Sequence, residues 1–133
     1  MGESDTPTAP IARLLDYTRR SVDPACGGAT LDFPANPAFA NDRGVVQGGM
    51  LAAMLDATLS NALRVALPVG RGQATLDLRV SFLRPARIGP LVGTGRVARR
   101  GTAIAFLEGE LRDVTGRLIA TATATAQLIK ARP

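Results

Sequence analysis

A single carboxylate, Asp56, interrupts an otherwise apolar segment near the middle of the chain. Leucines recur at helical spacing on both sides of it: Leu51, Leu55, Leu59, Leu63 and Leu67. This spacing predicts an α-helix over residues 50–67, and a helix that is apolar on nearly every side is normally buried. Because an unpaired buried carboxylate is costly, Asp56 needs either a hydrogen-bonding partner or a chemical task as base or nucleophile. Ser60, one turn later on the same side, could be that partner.

Two glycines, Gly48 and Gly49, stand where the polar loop from Asn41 to Gln47 runs into this helix. The first N–H groups of a helix have no partner within it, and they attract negative charge. The two glycines could therefore present these groups to an anion, or they could be ordinary loop glycines. In the same way, the side chains of Asn41 and Gln47 could donate hydrogen bonds to a ligand or could serve only the loop.

The spacing of these residues resembles the loop-and-helix motif of the PaaI-type hotdog thioesterases. In that family Asn is followed by His-Gly-Gly and then by Asp, and here the pattern reads Asn41, then Gln47-Gly48-Gly49, then Asp56. The resemblance continues through residues 75–89, TLDLRVSFLRPARIG, and remains traceable to residue 127. Gln47 is a departure, because the family has a histidine at this place.

The resemblance implies a role for each motif residue. Asp56 becomes the catalytic carboxylate, acting across a dimer interface either as nucleophile or as general base, and the sequence does not choose between these routes. Gly48 N–H meets the thioester carbonyl, with Gln47 or Asn41 in support, and the hydroxyl of Thr75 orients the attacking water. Gln47 can donate a hydrogen bond where the family's histidine does, but it cannot titrate near neutral pH. An ordinary exposed strand threonine explains Thr75 equally well.

Arginine carries almost all of the net charge of +5. Four arginines are expected at strand ends: Arg84, Arg87, Arg99 and Arg100. Comparable regions of the hotdog thioesterases line the coenzyme A channel and meet its phosphates, so the resemblance makes these four, together with Gly49, candidate substrate-binding residues. A solvated basic surface is the alternative. Nucleic-acid binding has little support, because aromatic residues for base stacking make up only 4% of the chain.

The rest of the chain predicts the elements that must position these residues. Apolar spacing favours a short amphipathic helix over residues 11–22, and a strand is expected over residues 29–33. After a turn at residues 68–72, four strands are expected, over residues 75–82, 91–99, 102–112 and 117–129. Alternation in the first of them places Leu76 and Leu78 on one face and Thr75 on the other. Short links, such as the hairpin turn at residues 113–116, favour antiparallel neighbours.

Small residues share one face in each of the last three expected strands, as Gly93 and Gly95 do. Side chains of this size would let a sheet curve closely around the long helix. We therefore predict an α+β fold in which an antiparallel β-sheet wraps around one long central α-helix. The resemblance names this arrangement the hotdog fold. One domain is expected over residues 1–133, with residues 1–10 flexible.

Residue types that are absent or rare limit the chemistry. The chain has no His and a single Cys, which excludes a His-based triad, and neither a metal nor a redox cofactor is expected. No stretch reads as a membrane span, and the acidic, polar N-terminus does not resemble a signal peptide, so we expect a soluble cytoplasmic protein.

The sequence thus favours an acyl-CoA thioesterase that releases a carboxylic acid and coenzyme A, and that assembles as a homodimer or homotetramer. The alternative is a non-catalytic acyl-CoA-binding or regulatory hotdog protein, in which Gln47 marks lost chemistry. The acyl group itself is not readable. An apolar pocket is suggested by four residues: Phe33, Phe39, Met50 and Met54.

Overall fold

The computed structural model describes residues 9–130 of the chain. In chain order the elements are helix α1 (Pro10–Leu15), strands β1 (Thr18–Asp23) and β2 (Gly28–Phe33), a 3₁₀ turn (Pro37–Phe39), helix α2 (Gly48–Arg64), and strands β3 (Arg71–Phe82), β4 (Leu91–Arg100), β5 (Ile104–Asp113) and β6 (Leu118–Lys130). The long helix and the four strands after it are confirmed, with small differences at their ends. Of the stretch expected to be flexible, residues 1–8 lie outside the described part, and Pro10 begins α1.

The six strands form one antiparallel sheet in the order β1-β2-β4-β5-β6-β3. Helix α2 lies across one face of this sheet and contacts every strand from β2 to β6. The predicted α+β arrangement, a sheet wrapped around one long helix, is therefore confirmed. No helix within residues 9–130 is long and apolar enough to cross a membrane.

Small residues on the helix-facing side of the sheet let α2 approach closely. A Cβ added at Gly93 would lie 2.3 Å from Thr58 Oγ1, and one added at Gly109 would lie 2.9 Å from Leu59 Cδ2. On β6 the helix-facing residues are four buried alanines: Ala120, Ala122, Ala124 and Ala126. Glycine and alanine therefore line the closest approach of the sheet to α2, as their positions in the sequence predict, and larger buried side chains such as Leu107 and Leu111 fill the rest of the core.

The helix expected over residues 11–22 is wrong beyond Leu15. Asp16 adopts the left-handed conformation (φ 56°, ψ 37°), which ends α1 after a single short stretch. Residues 18–23 form β1 instead, and this strand pairs antiparallel with β2. The apolar spacing did not predict the end of the helix correctly, because three of the four residues that define it are exposed and face no core: Ile11, Leu14 and Val22.

Strand β3 contains a β-bulge between Thr75 and Asp77, where its pairing with β6 shifts by one residue. Thr75 lies opposite Ala126 and Leu78 lies opposite Ala124, and both alanines are buried against α2. Thr75 thus shares the helix-facing side with Leu78. The side predicted for Thr75 is wrong, because strict alternation assumes a strand without an extra residue.

Candidate active site

Asp56 lies half-buried about two turns into α2, on the side that faces β3. Thr75 Oγ1 donates a hydrogen bond of 2.9 Å to Asp56 Oδ1. The β-bulge after Thr75 makes this contact possible, because it turns the threonine side chain toward the helix. Thr75 is therefore not an ordinary exposed strand residue, and the bond between Ser60 and Asp56 that the sequence suggested is not formed. Within the described residues, no donor contacts the other carboxylate oxygen, Asp56 Oδ2.

The start of α2 presents two N–H groups that the fold leaves unused. Gln47 is the N-cap, and its carbonyl oxygen accepts from the N–H groups of Met50 (2.9 Å) and Leu51 (3.2 Å). The N–H groups of Gly48 and Gly49 have no acceptor anywhere in residues 9–130. The Gln47 side chain is exposed and makes no capping hydrogen bond, so its carboxamide is also available to a ligand.

Asn41 closes the loop that leads to this helix. Its Oδ1 accepts from the N–H groups of Arg43 (2.9 Å) and Val45 (3.3 Å), and its own N–H donates to Val45 O (2.8 Å). Gly44 completes the turn with a left-handed φ of 77°, which a residue without a Cβ adopts without strain. Because the side-chain oxygen of Asn41 is used by the loop, only its Nδ2 remains to contact a ligand.

A cavity of about 310 Å³ opens beside the helix start. Asn41 and Gly48 lie on one side of it, and Leu51, Phe82, Arg84 and Pro85 are among the residues that complete its lining. The Phe82 ring lies over Gly48, at 3.4 Å from the position that a Cβ there would occupy. The sequence did not single out Phe82, since nothing in a phenylalanine at a strand end distinguishes a cavity wall from the core.

The apolar pocket suggested by four sequence positions is not what the structure shows. Phe33, Phe39 and Met54 are buried in the core, and Met50 packs against it. Leu51 and Phe82 supply the apolar wall of the cavity at the helix start instead. Hydrophobicity alone could not separate these two groups, because both consist of large apolar side chains near the motif.

Asp56 does not line the cavity that contains Gly48. Eight helical residues separate them, a distance of about 12 Å along α2. A carboxylate and a backbone donor so far apart cannot act on the same carbonyl group within one chain. The structure thus brings Asp56 together with Thr75, and Gly48 together with Asn41 and Gln47, as two separate half-sites.

The four candidate arginines fall into two pairs at opposite ends of α2. Arg84 lines the cavity at the helix start, and Arg87 lines a neighbouring cavity of about 470 Å³ that shares Pro85 with it. Arg99 and Arg100 line a third cavity, of about 280 Å³, beyond the last turn of the helix, where Arg100 Nη1 donates to Ala66 O (2.9 Å). The sequence located all four at strand ends but could not show this division.

Residues 43–120 match the model of the thioesterase superfamily. A candidate esterase of Halobacterium salinarum is 38% identical over 101 residues, which cover 71% of this chain and 66% of that protein. A phenylacetic acid degradation-related protein of Ralstonia eutropha, a candidate thioesterase, has a TM-score of 0.87 and 43% identity, over 91% of both chains. A Bacillus halodurans protein solved with CoA has a TM-score of 0.73 and 22% identity, over 75% of this chain and 66% of that one.

The family model spans more than half of the chain, including the helix start, Asp56 and Thr75. The Ralstonia protein matches almost the whole length, with the same sheet around the same helix. The resemblance to the PaaI-type hotdog thioesterases is therefore confirmed. This chain belongs to the thioesterase superfamily and has the hotdog fold.

Proposed function

We propose that this protein hydrolyses an acyl-CoA thioester to a carboxylic acid and coenzyme A, with Asp56 as the catalytic carboxylate. The hydrogen bond from Thr75 to Asp56 is the observation that carries the proposal. It holds one carboxylate oxygen at the seam between α2 and β3 and leaves the other free to take a proton or to attack. A helix that only filled a core would have no use for this charge, since a partly desolvated carboxylate opposes folding.

Gly48 supplies the electrophilic half of the reaction. Its unpaired N–H lies at the positive end of the α2 dipole, where it stabilises negative charge that develops on a thioester oxygen. Asn41 Nδ2 and the Gln47 carboxamide are further donors beside it. Because Gln47 donates without titrating near neutral pH, proton transfer rests on Asp56 alone.

A second copy of the chain completes the site. The 12-residue strand β3 is one edge of the sheet, and its outer backbone groups have no strand beside them in the described part of the chain. Two large apolar residues of this strand, Leu76 and Phe82, are more than half exposed. Two copies that pair edge to edge about a two-fold axis cover these groups, and we propose a homodimer in which Asp56 of one copy faces Gly48 of the other. Light scattering distinguishes this dimer from a homotetramer.

In this proposal coenzyme A occupies the two adjoining cavities that share Pro85 in their lining. Arg84 lines the first and Arg87 the second, and a guanidinium group binds phosphate through paired hydrogen bonds. The structural relative that was solved with CoA supports this choice of ligand. Arg99 and Arg100 reach the same ligand only if the second copy brings its own α2 terminus to the site.

One observation favours a second candidate, a non-catalytic acyl-CoA-binding protein. Gln47 takes the place of the histidine in the family motif and makes no capping hydrogen bond. A site that had lost its chemistry would still bind coenzyme A through the same cavities. Tight binding without release of free thiol, for every acyl-CoA tried, would establish this candidate.

The proposed reaction is tested by following thiol release from a panel of aliphatic and aromatic acyl-CoAs. Asp56→Asn should lower kcat by at least about 10²-fold while the fold is retained. The matched control is Asp77→Asn. Asp77 lies exposed on the face of β3 that points away from α2, so its substitution should not affect kcat. Full activity in Asp56→Asn would rule out the mechanism.

Gly48→Pro tests the backbone donor. Proline is well tolerated at the first position of a helix, and Gln47 already has the extended conformation that precedes proline (φ −58°, ψ 136°). The substitution removes the N–H without breaking a helical bond, so kcat should fall by about 10²–10³-fold. Gly49→Ala, which keeps the N–H, is the control.

Mixing the two inactive variants tests the shared site. After random reassociation, about half of the dimers contain one Asp56→Asn copy and one Gly48→Pro copy, and each of these has one intact site. About a quarter of the wild-type activity should therefore return. No recovery would mean that Asp56 and Gly48 do not complete one site across the interface.

A further inference from the structure

One side chain of β3 lacks the hydrogen bond that its burial requires. Gln73 Oε1 is the one buried side-chain nitrogen or oxygen in the described chain that has no hydrogen-bond partner. Gln73 lies opposite Leu128 of β6, which packs against the core, so its side chain is on the helix-facing side of the sheet. A buried carbonyl oxygen without a donor is costly. Because β3 is an edge strand, a second copy of the chain can supply the donor.

Gln47, at the start of α2, has a carboxamide that its own copy also leaves unused. The side chain is exposed at the N-cap and makes no capping hydrogen bond. The residues that cap helices well have short side chains, which reach back to the first N–H groups, and glutamine is not among them. The family motif has a histidine at this position, so the carboxamide is a feature of this chain. It is available to bond outside its own loop.

Two contacts within one copy fix where Gln47 lies relative to the end of β3. The Phe82 ring lies over Gly48, at 3.4 Å from the position of a Cβ there. On the other side of Gln47, the N–H of Val46 donates to Ala86 O (2.8 Å). The loop before α2 therefore runs antiparallel beside the chain that leaves β3. Gln47 stands between the two contacts, so it lies beside the residue midway between Phe82 and Ala86.

The proposed dimer sets which parts of the two β3 strands meet. Within one copy, Thr75 contacts Asp56, whereas Phe82 contacts Gly48. When the two half-sites face each other, Thr75 of one copy comes next to Phe82 of the other. Two β3 strands related by a two-fold axis run antiparallel, so this juxtaposition occurs at both sites of the dimer.

The same pairing brings Gln73 to Gln47 of the second copy. In an antiparallel pair, a step back along one strand meets a step forward along the other. Gln73 is two residues before Thr75, so it comes opposite Arg84 of the second copy, two residues beyond Phe82. Arg84 is the residue beside which Gln47 lies. One unsatisfied carboxamide from each copy thus reaches the same place, next to the shared site.

We propose that Gln73 of one copy forms a carboxamide pair with Gln47 of the other, and that both are positioning residues of the shared site. Each carboxamide has a donor end and an acceptor end, so two of them make reciprocal N–H···O bonds. Rotation about the last side-chain bond of Gln73, whose preference is broad, turns Oε1 from the interior toward the partner. The second N–H of Gln47 remains for the substrate.

This inference rests on the proposed function, and it gives Gln47 a further role. The pair joins the residue before Gly48 in one copy to the strand that carries Thr75 in the other. Because Thr75 holds Asp56, the pair sets the separation between the backbone donor and the carboxylate. A reaction that needs both groups on one carbonyl depends on that separation.

Substitution of both residues, singly and together, tests the pair. Gln73→Met and Gln47→Met keep the length of each side chain and remove its hydrogen-bonding groups. Each should raise the Kd of the dimer about tenfold or more, because every dimer loses two carboxamide pairs. The double variant should match the single variants within about threefold, since either substitution alone already breaks the pair. Analytical ultracentrifugation measures these Kd values, and Gln127→Met, on the exposed outer face of β6, is the control.

A measurement of kcat separates positioning from assembly alone. At protein concentrations well above the Kd every copy is dimeric, so a contact that only held the copies together would leave kcat unchanged. We expect kcat to fall about tenfold in each single variant, with KM within about twofold of wild type, because Gly48 N–H is no longer held at the right distance from Asp56. Unchanged kcat in the fully dimeric variants would overturn the positioning role.

Arg84 of the second copy is the competing donor, because it lies opposite Gln73 and is exposed. If the effects of Gln47→Met and Gln73→Met on the Kd multiply, the pair is overturned, and coupling of Gln73→Met to Arg84→Ala would then assign the donor to Arg84. Either result leaves the thioesterase function intact. Coupled Kd values in a protein that hydrolyses no acyl-CoA would support the pair and overturn the proposed function. A chain that stays monomeric would overturn both.

Discussion

The hydrogen bond between Thr75 and Asp56 can be tested through stability, independently of any activity. Thr75→Val keeps the shape of the side chain and removes its hydroxyl, which leaves Asp56 half-buried without its donor. A hydrogen bond to a charged group contributes about 1.5–3 kcal/mol, and the partial exposure of Asp56 reduces the expected loss to about 1–2 kcal/mol. For a domain of this size that loss lowers Tm by roughly 3–8 °C.

A double-mutant cycle isolates this contact from other effects of the substitutions. In an Asp56→Ala background the hydroxyl of Thr75 has no acceptor to lose, so Thr75→Val should cost little there. The coupling free energy between the two substitutions should be about 1–2 kcal/mol. Urea unfolding measures it, at one protein concentration throughout, because association would add to the apparent stability.

The control cycle uses Asp77 and Thr125, which lie opposite each other on the outer face of the sheet and form no hydrogen bond. Their coupling should stay below about 0.5 kcal/mol. If the Asp56–Thr75 coupling were no larger than this control, the contact would be refuted.

Three further predictions address packing, ligand and pH. Gly93→Ala should destabilise the fold by about 1–3 kcal/mol in urea unfolding, because the added Cβ would lie 2.3 Å from the buried hydroxyl of Thr58. Gly49→Ala is the control and should not destabilise the fold, since its Cβ would meet nothing within 4 Å. The opposite order of stabilities would contradict the close approach of helix and sheet. Arg84→Ala should raise KM for acyl-CoA about 10–100-fold with little change in kcat. Arg112→Ala, which removes an arginine that is ion-paired with Glu110, is its control. Equal KM values for the two variants would mean that the phosphates bind elsewhere. The hydrogen bond from the Thr115 side chain, with smaller contributions from Arg117, holds the pKa of Asp113 below its ordinary value of 3.8. Ionised Asp113 therefore stabilises the fold fully above pH 3.8, and this stabilisation is lost as the pH falls through the lowered pKa. The Tm difference between wild type and Asp113→Asn should therefore be present at about pH 7 and should close toward about pH 2.

The central helix and the sheet could be predicted because each depends on many residues that agree. Five leucines at helical spacing determine α2, and no single change among them would alter the reading. The glycines and alanines that face the helix likewise repeat over three strands, so the close wrapping of the sheet follows from the pattern. Short elements carry no such redundancy. The spacing of three exposed residues, Ile11, Leu14 and Val22, was enough to extend α1 into what is in fact β1.

Only part of the candidate site could be predicted from the sequence, because its contacts also depend on few residues. Asp56 could be identified because one carboxylate in an apolar helix is conspicuous without any knowledge of its neighbours. The resemblance named Thr75 only as the residue that orients the attacking water. Its hydrogen bond to Asp56 could not be predicted, since Thr75 is 19 residues away and reaches Asp56 only through the β-bulge. A single extra residue in a strand changes neither composition nor periodicity enough to be read, yet it moves every following side chain to the other face.

The rigidity of α2 has a consequence for how activity should depend on concentration. Gly48 and Asp56 belong to one continuous helix, so no rotation of a side chain or movement of a loop can close the distance of about 12 Å between them. If the proposed function is correct, a lone protomer holds two incomplete half-sites and should be inactive, and specific activity should fall on dilution as the dimer dissociates. Size-exclusion chromatography with light scattering, run at the concentrations of the assay, measures the dimer fraction to which the activity should be proportional. Constant specific activity across a range in which the monomer comes to dominate would show that Asp56 and Gly48 do not act on the same substrate across an interface.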